Sequence, residues 1–238
     1  YVLMGVTDPE NSKILYILPL TCIFLIPTLH RTIMPERFVE HYGGGTWFKA
    51  AFLHTFTFLA LSFLLVNPPF GDIAAPELAK SWTVITDDGE EIEYPFDVST
   101  KGTTLIWHTN GSTTLQGDAW LLFGLMDNKN SDGATVNVTR TYQADVTETE
   151  VNASYYIDNL EAIKNGTSSS NDTSPNLTPH GDQDQPFAIF LGTDLGEGTH
   201  DITVVITEDG DPWENVQTYY WTLEIINASP FDQESISE

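Results

Sequence analysis

Seven asparagines in this chain stand two residues ahead of a serine or threonine: Asn110, Asn137, Asn152, Asn165, Asn171, Asn176 and Asn227. The chemistry this spacing allows is N-glycosylation, in which the carboxamide nitrogen takes an oligosaccharide outside the cytoplasm. All seven follow two apolar runs, and none lies within or before them. That asymmetry predicts that the C-terminal part of the chain is exported and carries N-linked glycans.

Metal chemistry has one local pattern behind it. Asn128-x-Asn130-x-Asp132-Gly133 places alternate oxygen ligands ahead of a glycine, as at the start of a Ca²⁺ loop. The position where such a loop needs a bidentate Glu holds Thr139, so a polar turn is the simpler reading and Ca²⁺ the weaker alternative. No other cofactor is expected. The acidic groups Asp87, Asp88, Glu90, Glu91 and Glu208, Asp209, Asp211, Glu214 read as solvated turns. His108, His180 and His200 are spread over a strand, a loop and a strand start. The chain holds no Gly-x-Ser-x-Gly, His-Glu-x-x-His or Cys-x-x-Cys, and no phosphate loop or dinucleotide fingerprint, so catalysis is not expected. Trp82, Trp107, Trp120, Trp213 and Trp221 are read as core and rim residues, with a sugar-stacking platform as the alternative.

The elements that must position these residues are of two kinds. Ile14 to Leu29 and Ala50 to Val66 are free of charged residues, and each can span a bilayer if it borrows flanking residues. Arg31, Arg37 and Lys49 crowd the connection between them, which places that loop inside and both ends outside. The expected boundaries are an external segment 1–13, a transmembrane helix 14–34, a cytoplasmic loop 35–46 and a second transmembrane helix 47–67. Gly43, Gly44 and Gly45 should end a short surface helix in the loop. Tyr1 is not Met, which leaves room for an upstream signal peptide or a further helix. Pro19 and Pro27 should kink the first helix and free backbone carbonyls that need partners. His54 in the second helix is a haem or metal ligand, a proton carrier, or a polar packing residue; one histidine per helix favours packing. Pro19, Pro27, Phe52, His54 and Phe56 are the expected contacts to partner helices.

After a linker at 68–80 the apolar period switches to two. Strands are expected around Trp82–Val84, Thr104–Trp107, Trp120–Met126, Thr135–Tyr142, Ala153–Ile157, Phe187–Leu191, Asp201–Thr207 and Gln217–Ile226, separated by Asp-Gly, Asn-Gly and Gly-Glu-Gly turns. The expectation is an external antiparallel β-sandwich over 81–227, with a mobile, glycan-covered loop at 160–186 and a fraying tail at 228–238. Gly198-x-His200-x-Ile202-x-Val204, followed by a turn and the strand Thr218 to Ile225, resembles the closing strand pair of immunoglobulin-like modules on archaeal and bacterial surface proteins. The resemblance implies an Ig-like sandwich and no catalytic residue.

Of the charges, the part up to Ala75 holds 4 Lys/Arg and 5 Asp/Glu and the remainder 5 and 29, so the net −25 belongs almost entirely to the outer domain. A field of that sign excludes nucleic acid as a partner. The lone cysteine, Cys22, sits in the first apolar run, so no intrachain disulfide braces the fold. Together these features predict a membrane-anchored all-β protein, of archaeal surface type, working as a non-catalytic accessory subunit among other membrane-protein subunits. The alternatives are a stand-alone receptor or adhesin for a glycan or cation, and a subunit lending a membrane histidine to redox or ion transport.

Overall fold

The structure, a computed structural model, describes residues 17, 21–67, 69–96, 102–127, 133–149, 151–152, 154–168, 174–211 and 213–229. They divide into two compact units, one running up to Ile73 and including Gly210–Glu214, the other comprising Ala74–Asp209 and the chain from Asn215 onward.

In the helical unit a 3₁₀ turn, Cys22–Leu25, leads into α1 (Ile26–Ile33), followed by α2 (Glu36–Val39) and α3 (Gly44–Val66). Pro27 stands in the first turn of α1, immediately after the 3₁₀ turn, so the change from 3₁₀ to α geometry falls beside it. Pro19 lies outside the described residues. The glycines expected to end a surface helix instead begin α3: Gly43 is its extended N-cap, and Gly44 and Gly45 form its first turn. The 23 residues of α3 therefore reach about 34 Å at 1.5 Å each, enough for a hydrocarbon core of roughly 30 Å. Among the described residues one helix, Gly44–Leu65, is long and apolar enough to cross a membrane, and none of its apolar span is buried. The first run gives only the shorter apolar stretch Cys22–Ile33 among the described residues. His30, Tyr42 and Trp47 form an aromatic cluster with ring centroids 5.2–6.0 Å apart where α1 approaches the start of α3. At the far end the Asn67 side chain donates to the Phe63 carbonyl (2.7 Å), and Asp72 exchanges two 2.9 Å backbone hydrogen bonds with Asp211.

The second unit is built on ten strands: β1 (Glu77–Asp87), β2 (Ile92–Tyr94), β3 (Thr104–His108), β4 (Thr114–Met126), β5 (Thr135–Tyr142), β6 (Asp145–Thr149), β7 (Thr167–Ser168), β8 (Gln185–Gly196), β9 (Gly198–Glu208) and β10 (Asn215–Ile226). They form two sheets of five, in the orders β7-β2-β1-β4-β8 and β3-β10-β9-β5-β6. Both sheets are mixed rather than antiparallel throughout, because β10 runs parallel to β3 and β2 parallel to β7. Alternate residues of β9 (Ile202, Val204, Ile206) and β10 (Trp221, Leu223, Ile225) face Trp82, Leu121, Phe123 and Ile189 of the other sheet in one shared core, a sandwich-like arrangement. Trp82 stacks on Trp221 at 4.7 Å, and Phe123 meets Trp221 edge-on at 5.6 Å.

The first sheet is covered on its other face as well. Ile85, Trp120 and Leu122 pack there against Tyr155, Tyr156, Ile163 and Leu177. A strand is expected over Ala153–Ile157; Ala153 lies outside the described residues, and the chain instead forms α4 (Tyr155–Asp158), followed by α5 (Leu160–Asn165). The Asn152 carboxamide oxygen accepts the backbone N–H of Ser154 and of Tyr155, and Tyr155 lies flat on Trp120 at 3.8 Å. The chain therefore turns at Asn152 instead of extending. The stretch expected as a loop at 160–186 likewise contains α5, β7 and a 3₁₀ turn at Gly181–Gln183, and it buries Ile163 and Leu177.

Candidate functional site

At the end of the first sheet where β1 starts and β4 finishes, Glu77 pairs with Met126, and Leu125 pairs with Gln185 at the start of β8. These strand ends floor a groove of about 410 Å³, walled by His180, Gln183 and Asp184 and continued by Ala74, Ala75 and Asp127. The wall is held by its own hydrogen bonds. Buried Asp184 accepts the backbone N–H of His180 (2.7 Å) and lies 3.1 Å from its Nδ1, while Gly181, at φ +61°, lets the turn between them close. Nearby in this unit, carboxylate oxygens of Asp127 and Glu208 come within 4.8 Å of each other. The groove is thus acidic, with one carboxylate–imidazole pair, and suits a cationic group. His180 and Asp184 resemble the base and orienter of a hydrolytic site, and among the described residues the lining holds no Ser, Thr, Cys or Lys beside them. Sequence reasoning singled out neither Glu77 nor the His180–Asp184 pair, because three distant segments supply the groove and no local motif marks it.

His200, from the Gly198-x-His200-x-Ile202-x-Val204 pattern, is buried beneath Tyr142, whose ring stacks on it at 4.2 Å. Its Nε2–H donates to the Gly196 carbonyl (2.8 Å), leaving Nδ1 to accept from Arg140 Nη1 (3.0 Å). That pattern requires the neutral imidazole. Burial holds its pKa below the usual histidine value; the Arg140 charge pushes the same way, against the Gly196 bond and Asp201. A depressed folded pKa means that the native state takes up its proton later than the unfolded chain. This stabilisation is therefore full above about pH 6.5 and is lost as pH falls through the lower folded value. Denaturant melts between pH 7.5 and 5 should show wild-type stability dropping relative to His200→Gln, which has no proton to gain; parallel pH profiles would refute the assignment.

The six described sequon asparagines, Asn110, Asn137, Asn152, Asn165, Asn176 and Asn227, are all exposed, whereas Asn171 lies outside the described residues. Asn110 occupies a left-handed turn at φ +48°. It shares a polar groove of about 640 Å³ with half-buried His108. The Ca²⁺-like positions Asn128, Asn130 and Asp132 lie outside the described residues. Asp88 closes an acidic turn by accepting the N–H groups of Glu90 and Glu91 (both 2.8 Å), which hold its carboxyl below the usual range. All five tryptophans named above are buried, so they serve packing and present no open sugar platform. In α3, Phe52 and Phe56 are exposed and stack at 6.4 Å, and His54 is half-buried on the same helix. No protein-family model matches this chain, and no curated protein sequence matches it.

Proposed function

We propose that this chain is a non-catalytic subunit of a membrane assembly, with α3 in the bilayer and the acidic sheet unit outside the cell carrying N-linked glycans. One observation supports this most: α3 is apolar on every side and unburied along Gly44–Leu65. A helix of a soluble protein hides one stripe, whereas here Phe52, Leu53, Leu61 and Leu65, which point in different directions around the helix, are all exposed. Each gains roughly 1.5–3 kcal/mol on leaving water. In this reading the first apolar run returns beside α3 as the other half of a hairpin. Arg31, Arg37 and Lys49 keep the connection in the cytosol and put both ends outside.

The helices carry the contacts to partner subunits. His54, Thr55, Thr57 and Ser62 place polar atoms within the span, and such groups in lipid favour neighbouring helices over hydrocarbon. The β9–β10 pair, with its shared core, favours an Ig-like sandwich as the outer module. Native mass analysis after mild detergent extraction from the source membrane tests this: further chains should co-purify, and photo-crosslinkers at Phe52 and Phe56 should capture them. A monodisperse monomer without crosslinks would overturn it. A stand-alone surface receptor for a cationic ligand is the second reading, favoured by Glu77, Asp127 and Asp184 around the groove. Saturable binding of a cation by the monomer would decide for it.

A further inference from the structure

In a chain of net charge −25, one stretch of sheet surface has only uncharged side chains among the described residues. On β5, β9 and β10 the inward side chains belong to the shared core, so the residues between them point to solvent. Register places Asn137 opposite Val205 and Val205 opposite Thr218; the next row is Thr139, Thr203 and Tyr220. The row on the other side, Thr135, Thr207 and Val216, is uncharged too. Among the described residues charge returns at the margins, with Glu148 opposite Thr139, Asp201 opposite Thr141 and Glu224 opposite Thr199. Tyr220 is 70% exposed.

A bare uncharged face of this kind is where an otherwise acidic molecule would self-associate. What sits in its middle row is a sequon. Asn137 and Thr139 are two residues apart on one strand, so the carboxamide and the hydroxyl that acceptor chemistry needs lie on the same open face. We infer that Asn137 carries an N-linked glycan, and that this glycan lies across the uncharged face with an early sugar against Tyr220. The inference rests on the external location proposed above. In the attachment step Asn137 Nδ2 bonds to the anomeric carbon of a lipid-linked oligosaccharide. The bond from that carbon to the lipid phosphate breaks, the phosphate leaves with its electron pair, and one amide proton passes to a base of the transferase.

The geometry suits this occupant. With strands about 4.8 Å apart and about 6.8 Å per residue pair, Tyr220 lies roughly 12 Å from Asn137, within reach of the second or third sugar. Sugar C–H groups pack on an aromatic face, and sugar hydroxyls find threonine hydroxyls, with no charge to desolvate between them. Covalent attachment keeps the local sugar concentration high, so weak contacts suffice.

The test is made on the full chain from its native membranes. Glycopeptide mass mapping should find Asn137 modified, and hydroxyl-radical footprinting should find Tyr220 several-fold less reactive than in Asn137→Gln or Thr139→Val, which remove the sequon by different atoms. A modified Asn137 with Tyr220 equally reactive in all three proteins would overturn the docking. An unmodified Asn137 would overturn the whole inference. Protease added to intact cells separates the two failures. If it cleaves the sheet unit while Asn137 is bare, the external location stands and the glycan does not. If cleavage needs opened cells, the location fails and this inference with it.

Discussion

Trp221→Ala should destabilise the sheet unit by about 3–5 kcal/mol, the range for removing a large aromatic from a packed core. Trp221 is only 3% exposed and touches aromatic rings on several sides: Trp82 stacked at 4.7 Å, Phe123 edge-on at 5.6 Å and Tyr219 at 5.5 Å. The space it leaves cannot easily close. Trp82 is anchored by its indole N–H on the Gly102 carbonyl (2.9 Å), and β1, β4 and β10 are each paired with neighbours on both sides. With no disulfide to limit the unfolded chain, the loss falls directly on stability. Urea unfolding of the full chain in detergent, followed by near-ultraviolet circular dichroism, measures it; a change below about 1 kcal/mol would mean that Trp221 does not bridge the sheets.

Gly124→Ala should cost about 1–3 kcal/mol by a different route. A Cβ at this position would stand 2.3 Å from the Leu177 carbonyl oxygen and 2.9 Å from Thr178 Cγ2. The first obstacle is backbone, so the segment bearing Leu177 must move off the sheet. Leu177 is 1% exposed, and its displacement uncovers Ile85, Trp120 and Leu122 beneath. Because both changes detach the same segment, Gly124→Ala and Leu177→Ala combined should fall well short of the sum of the singles. Denaturant melts of the three variants, with limited proteolysis around Leu177, provide the measurement. A silent Gly124→Ala, or full additivity, would show that this segment does not cover the sheet.

The same segment marks where the sequence was misleading. Between Asn165 and Pro186 its composition is mostly Ser, Thr, Asn, Asp and Pro, which averages to a solvated loop. Two apolar anchors, Leu177 within it and Ile163 just before it, override that average. The signal was present in β4: Trp120 to Met126 is apolar without alternation, and an unbroken run of that length requires cover on both faces of its sheet. Strands with clean alternation, such as β5, β9 and β10, were legible to within a few residues because one face is core and the other solvent. β6 was not, since the turn leading to it uses Gln143 and Ala144, both at positive φ, in place of the usual Asn-Gly. The parallel pairing of β3 with β10 has no local signature, because parallel neighbours are set by the topology of the whole chain. The acidic groove was illegible for the same reason. By contrast the sequons were readable as spacing, but the uncharged surroundings of Asn137 emerge only from strand register.

The long helix was clear from composition, though its start was not. Glycines are poor interior residues, so Gly43 to Gly45 read as a stop. At a helix beginning the penalty is small, and the extra turn brings α3 to bilayer length.

The central claim is that α3 separates a cytosolic connection from an external sheet unit. Lys49, one turn into α3, and Lys164, at the end of α5 with 56% of its side chain exposed, stand on opposite sides of the membrane in this arrangement. Treating intact cells with a membrane-impermeant amine reagent and mapping the modified lysines reads the difference directly. Lys164 should be labelled in intact cells and Lys49 only after permeabilisation; labelling of Lys49 with Lys164 protected would contradict the claim.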